Sequence, residues 1–174
     1  MDIENILTDE DFKNDFDPTV VPAGKYLCKL LKGNPRIKVS KDGNRYLNVR
    51  LVATETADGE AVRSEVIYHV VPIEGTNKNG QPNRRMLVGF LKALGFEDGA
   101  IKSIFTTLME EAPTSGNIEK DTEVELKLNG DKVSLDGRTL MASIKERSYV
   151  ATKGPRAGES VLSNAVGSLW AVKA

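Results

Sequence analysis

Three alternating apolar/polar segments, then apolar residues at helical spacing, then two more alternating segments predict a mainly β chain with helices, of the α+β class. Strand, strand, strand, helix, strand, strand is the order of the five-stranded OB-type Greek-key β-barrel, with its helix between strands 3 and 4. A helix after a three-strand meander also occurs in other α+β domains, so the order admits that alternative. The expected organisation is an acidic N-terminal arm over 1–20, an OB-fold domain over 21–150 and a C-terminal tail over 151–174.

The first segment, "MDIENILTDEDFKNDFDPTVVPAG", mixes acids, scattered apolars and two prolines and reads as an arm. In "GKYLCKLL", Lys25, Leu27 and Lys29 alternate with Tyr26, Cys28 and Leu30, which predicts the first strand, broken or bent by "GNPR". "KDGN" carries the Asp-Gly signal of a tight turn. From Arg45, "RYLNVRLV" sets Leu47, Val49 and Leu51 on one face and Tyr46, Asn48, Arg50 and Val52 on the other. After the turn "TADGEA", "RSEVIYHVV" is rich in β-branched and aromatic residues and predicts the third strand.

The loop "EGTNKNGQPN" precedes a change of period. "RRMLVGFLKALGF" places Met86, Leu87, Phe90, Leu91 and Leu94 on one helical stripe, closed by Gly95. Asp98 is placed to cap a second helix with the stripe Ile101, Ile104, Phe105 and Leu108. Strands resume in "TEVELKLNG", where Val124, Leu126 and Leu128 alternate with Glu123, Glu125 and Lys127, and in "RTLMASIKERSY". The Gly-, Ser- and Ala-rich end, "KGPRAGESVLSNAVGSLWAVKA", reads as a tail.

At 174 residues, 40% hydrophobic and 28% charged, the chain has the makeup of one well-cored globular domain with loose ends. No apolar run approaches the roughly 20 residues of a membrane span, and the acidic start does not read as a signal peptide. The one cysteine, Cys28, allows no internal disulfide and fits a reducing compartment, so the cytoplasm is the expected location. Charge is segregated. Residues 1–24 carry a net −6, residues 25–85 a net +6 and residues 86–174 a net −1, which together give the overall −1. That pattern speaks to partners: an acidic arm and a basic functional surface.

His69 and Cys28 stand alone in their residue types, so no His/Cys zinc set can be assembled, and no catalytic signature, phosphate loop or cofactor motif occurs. No catalysis, metal or cofactor is expected; Glu123 and Glu125 read as a solvated strand face rather than a nuclease centre. His69 reads as a strand residue near a barrel mouth. What remains is basic residues interleaved with aromatics. Lys25, Lys29, Lys32, Arg36, Lys38, Lys41, Arg45 and Arg50 lie within one hairpin's length, with Tyr26, Tyr46 and Tyr68 spread over the three strands. Cations that track phosphates and aromatic faces that stack unpaired bases are what single-stranded nucleic-acid binding requires. Tyr46 is the favoured stacking platform, Tyr26 reads as core, and Tyr68 is open. The expected DNA-binding set is Lys25, Lys29, Arg36, Lys38, Lys41, Arg45, Tyr46, Asn48, Arg50 and Tyr68.

"VPAGKYLCKLLKG", "GNRYLNVRLVATETADGEAVRSEVIYHVV" and "RRMLVGFLKALGF" resemble bacteriophage single-stranded DNA-binding proteins of replication and recombination, over roughly residues 20–100. The resemblance implies an OB core, non-specific binding of single-stranded DNA, and DNA contacts at Tyr46, Arg50 and Arg45. The chain departs from that group in ending "SLWAVKA", with Trp170 and no acidic run; its acidic, phenylalanine-bearing segment stands at the other end. Replication or recombination proteins, met through that arm or the C-terminal tail, are the further partners expected. The rival reading is a protein-interaction module, a phage inhibitor or scaffold of a host factor that uses the acidic arm.

Overall fold

The computed structural model describes residues 19–32, 35–40, 43–111 and 122–173, which are mainly β with two helices. The strands are β1 (Gly24–Leu30), β2 (Arg36–Val39), β3 (Arg45–Thr56), β4 (Ile67–Pro72), β5 (Thr122–Glu123), β6 (Leu126–Leu128), β7 (Asp131–Val133), β8 (Thr139–Val150) and β9 (Ser160–Trp170). Helices α1 (Arg84–Ala93) and α2 (Asp98–Glu111) follow β4. The main sheet runs β5-β2-β3-β1-β8-β9, with β4 also on β3, while β6 and β7 form a separate hairpin.

β3 organises the sheet. Leu47 pairs with Ile37 of β2 and with Val71 of β4, so these two strands flank it on opposite edges. Farther along, β3 pairs with β1, and the Leu31 amide donates to the Arg50 carbonyl at 3.1 Å. β1 and β2 therefore follow one another along a single edge of β3, β1 ending at Leu30 and β2 starting at Arg36; Gly33 and Asn34 of the "GNPR" stretch lie outside the described residues. Alternation does the rest: Leu47, Val49, Leu51 and Ala53 are buried, as are Tyr26, Cys28 and Leu30 of β1 and Leu140, Ala142 and Ile144 of β8. Each large aliphatic so enclosed is worth roughly 1.5–3 kcal/mol.

The helices cover this core with Leu87, Phe90 and Leu91 of α1 and Ile101, Ile104 and Leu108 of α2. Gly95, at φ +91°, ends α1: its amide donates to the Lys92 carbonyl, and the Phe96 amide to that of Leu91. That is the Schellman pattern, in which a side chain at Gly95 would be strained. Met86 does not join the stripe. It is 49% exposed, because one residue is about 100° of helix and carries it past the buried edge. Asp98 is the first helical residue of α2 rather than its cap.

Three expectations are corrected here. The end of the chain is not a tail, since β9 pairs with β8 from Met141↔Trp170 to Val150↔Ser160. The strands number nine, not five, among the described residues. The ladders also do not close into a barrel. β9 comes alongside β4 without a ladder, and α1 packs against both.

A short strap laces that seam. The Thr19 amide donates to Arg63 O (3.0 Å) and the Glu65 amide to Thr19 O (2.9 Å). The Asn164 side chain grips Val21 at both ends, accepting from its amide through Oδ1 and donating to its carbonyl through Nδ2, each at 2.9 Å. Residues 1–18 of the expected acidic arm lie outside the described residues. No helix among the described residues is long and apolar enough to cross a membrane.

Candidate nucleic-acid interface

Alternation sends every second residue of the sheet away from the core. On β3 these are Tyr46, Asn48, Arg50 and Val52; on β2, Arg36 and Lys38; on β1, Lys25, Leu27 and Lys29; on β4, Tyr68, Val70 and Pro72. The register joins them into one surface. Lys38 pairs with Tyr46 and Arg36 with Asn48 across β2 and β3. Tyr46 pairs with Pro72, Asn48 with Val70 and Arg50 with Tyr68 across β3 and β4. Lys29 sits opposite Val52.

Several of these side chains are held. Arg50 Nη2 donates to the Lys32 carbonyl at 2.9 Å, which turns the guanidinium towards the break between β1 and β2. Tyr68 is 63% exposed beside it in register, with its ring surface open to solvent. Lys25 Nζ stands 5.9 Å from the centroid of the Trp170 ring, a cation–π contact that extends the face onto β9. Asn48 Oδ1, in the middle of the face, is buried and without a hydrogen-bond partner among the described residues. Such an acceptor costs about 1–3 kcal/mol.

Of the ten expected contacts, eight share this face: Lys25, Lys29, Arg36, Lys38, Tyr46, Asn48, Arg50 and Tyr68. Lys41 lies outside the described residues. Arg45 does not belong to the set. Its odd position puts it with Leu47 and Val49 on the core face, where it is 6% exposed. Its Nε and Nη2 donate to Glu74 Oε1 and Oε2 at 3.0 and 2.9 Å, and its amide to Oε1 at 2.7 Å. Those hydrogen bonds hold the Glu74 carboxyl below the usual carboxylate range against the opposing effect of burial. Arg45 is a tie between β3 and the loop after β4.

Tyr26 is core, with its hydroxyl donating to Pro22 O at 2.6 Å. His69 pairs with Val49 from β4, and burial pushes its pKa down. Burial likewise pushes the Cys28 thiol up to about 12. Glu125 is exposed and pairs with Lys132 at 3.5 Å. Among the described residues, no group of three His, Cys, Asp or Glu side chains could hold a metal.

Sequence reading placed Lys145, Arg147 and Tyr149 on a strand but missed β9, and with it the hairpin that β8 and β9 form. Arg147 and Tyr149 on β8 line a cleft with Val66, Tyr68 and Ser163 to Ala165 of β9. Trp170 was assigned to a tail. Neither the protein-family models nor the curated proteins contain a match to this chain.

Proposed function

We propose that the protein coats single-stranded DNA without sequence preference, as a phage replication or recombination protein with an OB-type core. It does so by neutralising phosphates and stacking bases, with no catalytic step. The observation that carries this reading is one sheet face that gathers Lys25, Lys29, Arg36, Lys38 and Arg50 with Tyr46, Tyr68 and Trp170, Lys38 being paired with Tyr46, Arg50 with Tyr68, and Lys25 lying over the Trp170 ring. Base stacking on such rings is worth about 1–3 kcal/mol each and tolerates any sequence.

Strand order supports the OB part of the reading. Taken as one bent strand, β1 and β2 are followed by β3 and β4, then the helices and the short β5, β6 and β7, then β8 and β9. The order β4-β3-β1-β8-β9, with β9 returning beside β4, suits a partly open Greek-key barrel. In that fold the face of strands two and three and the loops joining strands one to two and four to five meet oligonucleotides; here these are β3 with β4, the turn between β2 and β3, and the loop between β8 and β9, beside which Arg147 and Tyr149 stand.

A mobility shift with labelled oligo-dT, competed by duplex of equal length, tests the function. Binding at low salt that resists duplex competitor is expected. Equal competition by duplex, or no shift at low salt, refutes it.

A further inference from the structure

The face is not uniform across its width. Opposite Tyr46, Asn48 and Val52 the residue on the β1–β2 side is cationic, and the β4 side of the face is uncharged throughout. Lys38, Tyr46 and Pro72 make one row; Arg36, Asn48 and Val70 the next. Arg50 then stands beside Tyr68, and Lys29, Val52 and Val66 line one cleft at the end. Val66, just before β4, and Tyr68 and Val70 on it are 42%, 63% and 48% exposed, three outward positions in succession that carry no charge and only the Tyr68 hydroxyl as a polar group. On an ordinary solvated strand those positions carry polar or charged side chains.

We infer that the two sides handle different parts of one ligand: the sugar-phosphate backbone of a single strand runs over Lys29, Arg36 and Lys38, and its bases turn across β3 onto Val66, Tyr68 and Val70. The inference rests on the single-strand reading and adds an orientation to it. Charge complementarity fixes the backbone side. An unpaired base is the part of the same polymer with an apolar face to bury, and the apolar row runs parallel to the cationic one at the width of one strand. Successive rows repeat at two residues, about 7 Å along the strands, so an extended polynucleotide can use them in turn. Tyr46 and Arg50 lie between the two sides, where base and sugar meet.

The test compares oligo-dT with a strand of equal length made of abasic sugars, which keeps the phosphates and lacks the bases. Salt titrations are run on wild type, Val66→Ser/Val70→Ser and Lys29→Ala/Lys38→Ala. The valine pair is expected to weaken oligo-dT binding at least about threefold at every salt concentration, as two partly covered aliphatic contacts are lost. Its salt slope and its affinity for the abasic strand should match wild type. The lysine pair is expected to weaken both strands and to lower the slope by about 1.4.

Equal losses on both strands for the valine pair, or no loss on either, overturns the assignment. So does a valine pair that changes the sedimentation of the free protein while binding oligo-dT normally, because the apolar row is then a protein interface. Should the serine pair fail to fold, Val66→Thr/Val70→Thr, which keeps the branched shape, carries the same comparison. A wild type that binds neither strand at low salt refutes the single-strand reading itself, and is recognised before any variant is compared.

Discussion

The guanidinium of Arg45 and the carboxylate of Glu74 form a two-point ion pair, closed by a third hydrogen bond from the Arg45 amide. The arginine is almost wholly enclosed while the carboxylate keeps 28% of its side-chain surface. Arg45→Ala is therefore expected to cost about 2 kcal/mol of stability and to leave the salt dependence of DNA binding unchanged. Chemical denaturation and a salt titration check the two halves. Arg45→Lys should recover little, since an ammonium cannot make the two-point contact. A normal midpoint with a flattened salt slope would return Arg45 to the phosphate set.

Asn164 has a comparable structural task at the seam. Asn164→Ala removes both hydrogen bonds to Val21 and is expected to destabilise by on the order of 1–3 kcal/mol. Deleting residues 1–18 leaves this grip intact, and a truncation that also takes Thr19 to Val21 does not. The shorter deletion should melt near wild type and the longer one well below it. Equal melting of the two truncations would contradict the strap.

Stability should fall in acid in two stages. Burial holds His69 below its usual pKa, so the unfolded chain takes up the proton first. The folded state then has its full stability above about pH 6.5 and loses it as pH drops below that value towards the lowered folded pKa. Glu74 adds stability that is present above the usual carboxylate pKa and is lost as pH falls from there through its depressed value. Thermal melts from pH 8 to 2 should slope in both windows, and His69→Gln should flatten only the upper one. A flat wild-type profile between pH 7 and 5 would count against the histidine account.

Asn48 gives a prediction in which stability and binding part company. Asn48→Val removes an unpartnered buried acceptor and places a β-branched residue in mid-strand. The variant should melt above wild type and bind oligo-dT more weakly. Lower stability would mean that Asn48 Oδ1 is satisfied in solution and belongs to the scaffold.

How far these features could be read in the sequence follows from what periodicity encodes. The β3 pattern was legible because Leu47, Val49 and Leu51 face a core and Tyr46, Asn48 and Arg50 do not. The same parity assigns Arg45 to the core, but its charge and its neighbouring turn argued otherwise, and its partner Glu74 lies 29 residues away. β9 was hidden for a different reason. It is held mainly by backbone pairing to β8, and its half-exposed Ser, Asn, Ala and Gly residues leave no alternation to detect. The apolar row on β4 was visible as composition, but only the register shows that it lies beside Arg50, Asn48 and Tyr46.

Mapping backbone amide chemical shifts during titration with oligo-dT locates the bound strand on the protein. Perturbations are expected to gather on residues 25–30, 36–39, 46–52 and 66–72, with Arg147, Tyr149 and Trp170, and to fade as salt is raised. Shifts confined to α1, α2 or the β6–β7 hairpin, or none at low salt, would contradict the account.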